Sequence, residues 1–235
     1  GGKERAKRGG AAAGHSRGGY SAVGAGKAWD LDVTARLLRL RGDSMQQAVP
    51  VGEGAMAALI GVDLETAQAI ADQASQGDVC DVANDNADGQ IVLSGASGAI
   101  DRVVEIAPRL GAKRALRLTV SAPFHCKMMA PAADAMADAL STVDLRAPNV
   151  PLFANVTATP TSDRDVIRRQ LVEQVTGRVR WRESVLEMSA QGLTSVIEIG
   201  SGKVLTGLAR RIDKSLQAGA INGPADVDAF LATLG

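Results

Sequence analysis

Gly14-His15-Ser16-Arg17-Gly18 fits the pattern G-x-S-x-G, in which small flanking residues let a strand turn sharply into a helix and push a serine hydroxyl into the open. Such a hydroxyl becomes a nucleophile once a base removes its proton, and near neutral pH histidine is the usual base. The chain contains only 2 histidines. His15 is the immediate neighbour of Ser16 in a sharp turn, so its side chain should leave in another direction. His125, in Ser121-Ala122-Pro123-Phe124-His125-Cys126, remains as the candidate base. Arg41, in Arg39-Leu40-Arg41-Gly42-Asp43-Ser44-Met45-Gln46, is a third candidate, because a guanidinium fork suits the carboxylate of an acidic substrate.

Two other motifs carry less. Gly200-Ser201-Gly202-Lys203 invites a phosphate-loop reading, but Ile197 stands where G-x-x-x-x-G-K needs its first Gly and Leu205 where G-x-G-x-x-G needs its last. It reads as a loop entering a helix. Asn84-Asp85-Asn86 reads as a turn between two strands.

The elements that must position these residues follow from hydrophobic spacing. Leu31, Ala35, Leu38, Met45 and Val49 recur near helical period, which predicts an amphipathic helix over 31–49 that stops at Pro50 and carries Arg41. Residues 52–123 read as strand 55–62, helix 64–74, strands 79–82 and 90–95, helix 99–110 and strand 115–120. That order is the split βαβ, ferredoxin-like arrangement. Beyond it come a helix after Pro131, a strand at 150–155, helices at 165–175 and 181–191, a strand at 195–199 and a helix from Lys203. Alternation of this kind predicts an α/β layer with a parallel sheet.

Composition bounds the function. With 46% hydrophobic and 22% charged residues, a chain of 235 can bury a real core. Lys plus Arg and Asp plus Glu number 26 each, so no basic excess points to nucleic acid as a partner. Cys80 and Cys126 lack C-x-x-C spacing and, with so few histidines, leave no metal site to expect; reduced thiols in the cytoplasm are the simplest reading. No apolar run approaches the roughly 18 residues of a membrane span, and no signal peptide is evident.

Together the segments GHSRGGYSAV, RLRGDSMQQAVPVGEGAMAALIG, VANDNADGQIVLSG, GAKRALRLTVSAPFHCKMM, RAPNVPLFANVTA, VEQVTGRVRWRESV and IEIGSGKVLTGLARRI resemble the malonyl-CoA:acyl carrier protein transacylase family, from about Gly14 to the C-terminus. Residues 1–13, rich in Gly, Ala and basic side chains with no apolar stripe, read for the most part as a poorly ordered lead-in. The resemblance implies an α/β-hydrolase-like core over 14–50 and 122–235 and a ferredoxin-like subdomain over 51–121, with the family's strand before the serine reduced to Ala11-Ala12-Ala13. It makes Ser16 the nucleophile and His125 its base. By the same resemblance the main-chain carbonyl of Gln174 orients the imidazole, the main-chain N–H of Arg17 is an oxyanion donor, and Arg41 holds the malonyl carboxylate. Met45, Phe124 and Asn86 are expected beside the acyl pocket. The implied reaction moves malonyl from malonyl-CoA to the phosphopantetheine thiol of acyl carrier protein, for fatty-acid or polyketide synthesis. Coenzyme A thioester enters as substrate, with no cofactor. The match is expected to be N-terminally incomplete, because the family's opening strand and Gly-Gln-rich loop, the source of a second oxyanion donor, are not among these residues. Arg17 stands for the usual Leu, Gly19 for the usual Glu and Ser201 for the usual Pro. Carrier proteins of this pathway are usually acidic, so the basic Arg178, Arg180, Lys203 and Arg211 are candidate carrier contacts at the active-site mouth. Rival expectations are a serine hydrolase or thioesterase, and an inactive remnant that only docks carrier protein.

Overall fold

A computed structural model describes residues 10–232. The chain begins with strand β1 (Ala12–Ala13), helix α1 (Gly18–Ala25) and helix α2 (Leu31–Gln47). Thr34, Leu37, Arg41 and Met45 form the buried stripe of α2, three or four residues apart, as one helix face requires. The stripe is apolar except for Thr34, whose hydroxyl donates to the Asp30 carbonyl one turn back, and Arg41.

The middle of the chain builds β2 (Gly54–Ile60), α3 (Leu64–Ser75), β3 (Cys80–Ala87), β4 (Gln90–Ala96), α4 (Ser97–Ile106) and β5 (Arg114–Arg117). Their sheet order, β5-β2-β4-β3, is antiparallel throughout and is that of a ferredoxin-like unit. Asp63 starts α3 by accepting the Thr66 N–H at 2.8 Å. Ile70 of α3 and Ile100 of α4 are fully buried against Leu59 and Leu93 of the sheet, and each such side chain contributes about 1.5–3 kcal/mol.

After a short 3-10 turn (Lys127–Met129) come α5 (Ala130–Ser141), β6 (Leu152–Phe153), β7 (Pro160–Thr161), α6 (Arg164–Thr176), β8 (Val179–Arg180) and α7 (Trp181–Ala190). The chain then runs through β9 (Ser195–Ile199), α8 (Val204–Ile212), β10 (Gln217–Ile221) and α9 (Pro224–Ala232). Strands β1 and β6 pair in parallel, as do β9 and β10. Helices α1, α2, α5 and α6 meet in a second core around Tyr20, Trp29, Met45, Met136, Leu140 and Leu171. Strand β8 adds in parallel to β3 and joins the two layers. Among the described residues no helix is long and apolar enough to cross a membrane.

Three expectations are corrected. The expected apolar stripe of the 31–49 helix is not its buried face: Leu31 is 84% exposed and Ala35 is exposed, while Thr34, Leu37 and Arg41 turn to the core with Met45, because burying Arg41 beside Ser16 sets the helix's rotation. Of the lead-in at 1–13, residues 1–9 lie outside the described residues, while Ala12 and Ala13 form β1, bonded to β6 with Ala12 N–H donating to Pro151 O at 2.9 Å. Its partner lies about 140 residues away in sequence, so two alanines give no local signal. Asn84, Asp85 and Asn86 lie inside β3, and the turn falls after them at Asp88-Gly89, where Gly89 has φ +66°. Register shifts at Val82/Asn84 and Asp85/Ala87 break the alternation, and the buried Asp85 is neutralised by Arg182, whose Nε donates at 3.0 Å.

Candidate active site

Ser16 sits between β1 and α1 with φ +53°, a left-handed conformation that costs a non-glycine residue energy and persists only where the surroundings hold it. Gly14 makes the turn possible, since a Cβ there would lie 1.9 Å from the Gly18 carbonyl carbon. Asn155, just beyond β6, clamps both arms of the turn. Its Oδ1 accepts the Ser16 N–H at 2.7 Å and its Nδ2 donates to Gly14 O at 2.8 Å.

The Ser16 hydroxyl lies 2.7 Å from His125 Nε2, and His125 Nδ1 lies 2.9 Å from the Gln174 main-chain carbonyl. A carbonyl only accepts, so Nδ1 carries the ring proton and Nε2 is left free to accept from the serine. Burial first, and the Arg41 cation second, push the His125 pKa down to about 3. The imidazole is therefore neutral at physiological pH, the state a general base needs.

Arg41 closes the other side. One Nη2 donates to Ser16 Oγ at 3.1 Å and to Gln174 Oε1 at 3.3 Å, and the guanidinium carbon lies 5.6 Å from the centre of the Tyr20 ring. Arg41 is 5% exposed, yet among the described residues no carboxylate pairs with it and its Nε has no partner. Burial lowers its pKa, but guanidinium keeps its charge in proteins. The aromatic face offsets part of the cost. What remains is a buried cation with an unused donor beside a nucleophile.

The other predicted residues fall as follows. Arg17 heads α1 directly after Ser16, with an exposed side chain. Met45 is one turn beyond Arg41 on α2 and is buried in the second core. Phe124, next to His125, is half-buried against both that core and the Met56–Ala83–Val92 cluster. Asn86 Oδ1 lies 2.7 Å from His15 Nε2, so the neighbouring histidine turns away from Ser16 toward β3 and against Trp181. Arg178 and Arg180 both pair with Glu183, and Arg211 donates to Gln90 Oε1. Sequence reasoning missed Asn155 and the Gln174 carboxamide, whose Nε2 donates to Asn155 Oδ1 at 3.0 Å. One signal was available: a polar residue at the C-terminal end of a core strand is where α/β proteins place their sites.

A serine held on a sharp strand-to-helix turn, hydrogen-bonded to a neutral, oriented histidine, defines a Ser–His acyl-transfer enzyme. The family described as acyl transferase domain matches residues 5–222. The chain is 43% identical over 219 residues to the malonyl CoA-acyl carrier protein transacylase of Escherichia coli (strain K12), covering 93% of this chain and 71% of that protein. It is 53% identical to the crystal structure of acyl-carrier-protein-S-malonyltransferase from Bartonella henselae, with a TM-score of 0.92 over 96% of this chain and 72% of that one. A type II PKS acyl-carrier protein in complex with its malonyl-transacylase gives 40% identity and a TM-score of 0.91, over 94% and 72%. The chain belongs to the malonyl CoA-acyl carrier protein transacylase family.

Proposed function

We propose that this chain transfers malonyl from malonyl-CoA to the phosphopantetheine thiol of acyl carrier protein through an ester on Ser16. His125 Nε2 takes the hydroxyl proton as Oγ attacks the thioester carbonyl, and the Arg17 N–H is a donor to the resulting oxyanion. The C–S bond then breaks and the coenzyme A sulfur leaves with the proton from His125. In the second half-reaction the carrier thiol gives its proton to His125, its sulfur attacks the malonyl-serine carbonyl, and the C–Oγ bond breaks as Ser16 regains a proton. Gln174 O holds the imidazole in the required tautomer throughout. Met45, Phe124 and Asn86 border the acyl group. The acyl donor is substrate and the scheme uses no cofactor. We place the reaction in the cytoplasm, consistent with the two free, buried cysteines.

The observation that carries this reading is the unpaired, buried Arg41 guanidinium 3.1 Å from the nucleophile. A simple esterase has no use for a buried carboxylate receptor, whereas malonyl differs from acetyl by one carboxylate. The test is acylation by labelled malonyl-CoA. Ser16→Ala should abolish the label and His125→Ala should slow it severely, with the double variant no worse than Ser16→Ala, since the two act as a unit. Label retained on Ser16→Ala would refute the assignment, and turnover by the parent without acceptor thiol would make it a hydrolase.

A further inference from the structure

Asn155 is 2% exposed, and both ends of its carboxamide are engaged: Oδ1 accepts from Ser16 N–H and from Gln174 Nε2, and Nδ2 donates to Gly14 O. Its main-chain carbonyl accepts from Arg180 N–H of β8, which fixes the residue from behind. These bonds close a ring. Ser16 Oγ meets His125, His125 meets the Gln174 main chain, the Gln174 side chain meets Asn155, and Asn155 returns to the Ser16 main chain. The ring also touches Arg41 through Gln174 Oε1. Only a short carboxamide satisfies all three contacts at once. An aspartate would turn an oxygen toward the Gly14 carbonyl, and an aliphatic residue would strand a buried serine N–H.

Resting on the reading of Ser16 and His125 above, we propose that Asn155 is a positioning residue for the acylation step: its carboxamide holds the strained Ser16 backbone in register with the base. It acts through Ser16 and Gln174 and touches no substrate atom. Because it sets the angle of attack and reads nothing of the acyl group, its loss should slow acylation from malonyl-CoA and acetyl-CoA by the same factor. Half-saturation for malonyl-CoA should stay where it was.

The test uses single-turnover acylation of the full chain, with each rate constant normalised to burst amplitude so that only folded, competent sites count. Asn155→Ala should lower the malonylation rate constant about 10- to 100-fold, the range that a misplacement on the order of 1 Å produces, with half-saturation within about twofold. The acetyl-to-malonyl ratio should be unchanged. Asn155→Asp adds a readout that a merely structural role would not move. It keeps the acceptor for Ser16 and regains the donor toward Gly14 only when protonated, so its rate relative to the parent should recover as pH falls from 8 toward 5. Taking the ratio to the parent at each pH removes the titration the two proteins share, and Arg41 keeps its charge throughout. An Asn155→Ala rate constant equal to the parent's overturns the proposal, as does a selective loss for one acyl group. Should the alanine variant fail to fold, an aspartate variant that is equally slow at both pH values overturns it too. None of these results would disturb the Ser16 assignment, which stands or falls on labelling of Ser16→Ala.

Discussion

Replacing Arg41 by methionine separates two consequences of burying an unpaired cation. A charge-assisted bond to a carboxylate is worth about 1.5–3 kcal/mol, so losing it should lower kcat/KM for malonyl-CoA roughly 10- to 150-fold. Acetyl-CoA offers no carboxylate, and its kcat/KM should hold or rise. Arg41 is also the second cause of the depressed His125 pKa, so methionine should shift the acid limb of the acetyl-CoA profile upward. Stability should move the opposite way from malonyl activity. Arg41 is 5% exposed, has no carboxylate partner among the described residues and leaves its Nε unsatisfied there. Trading it for an apolar side chain of similar length should leave the Tm level or raise it. Lysine at this position should rescue malonyl transfer only in part, since a point charge does not reproduce the fork. The assay compares kcat/KM for both thioesters across pH, with circular dichroism melts on the same samples. A parallel loss for both substrates with a lowered Tm would refute the reasoning, because Arg41 would then be holding the fold together.

The depressed His125 pKa also makes stability pH-dependent. With a folded value of about 3 against an ordinary 6.5, the unfolded chain binds more protons between these limits. The contribution is therefore fully present above about pH 6.5 and is lost as pH falls toward 3, a change on the order of 5 kcal/mol. Denaturant titrations at several pH values should show a shallower fall for His125→Gln than for the parent; identical slopes would contradict a neutral, desolvated imidazole. The two outer glycines of the serine motif should differ sharply. Gly14→Ala forces a Cβ to 1.9 Å from Gly18 and should abolish the acylation burst, whereas Gly18→Ala meets nothing within 4 Å and should keep both burst and Tm.

Much of this architecture could be read from residue order, and the exceptions have physical causes. The extent of helix α2 was legible because it stops before Pro50, but its buried face was not, since Leu31 and Ala35 face solvent and the polar Thr34 and Arg41 face the core; the ferredoxin-like order was legible because each element carries its own periodicity. Ser16 and His125 were found because a turn motif and a scarcity of histidines left few choices. The roles of Gln174, Arg17, Met45, Phe124 and Asn86 came from family resemblance, since nothing local distinguishes them. Strand β1 has two residues and exists only through pairing with β6. Asn84–Asn86 imitate a turn because bulges let polar residues sit in a strand. Strand β10 and helix α9, beyond the helix from Lys203, had no counterpart in the sequence reading. Asn155 was invisible as a partner of Ser16 because the two are 139 residues apart.

Strand β3 has a mechanical consequence. It is bonded on one edge to β4 and on the other to β8, with Asp85–Arg182 fastening it to α7 and Asn86–His15 fastening it to the serine turn. Prising the two layers apart therefore means tearing backbone hydrogen bonds and stripping a buried aspartate of its counter-ion, while tilting them as one body strains nothing. The small layer is thereby anchored directly to the active-site turn, through His15, one residue from the nucleophile.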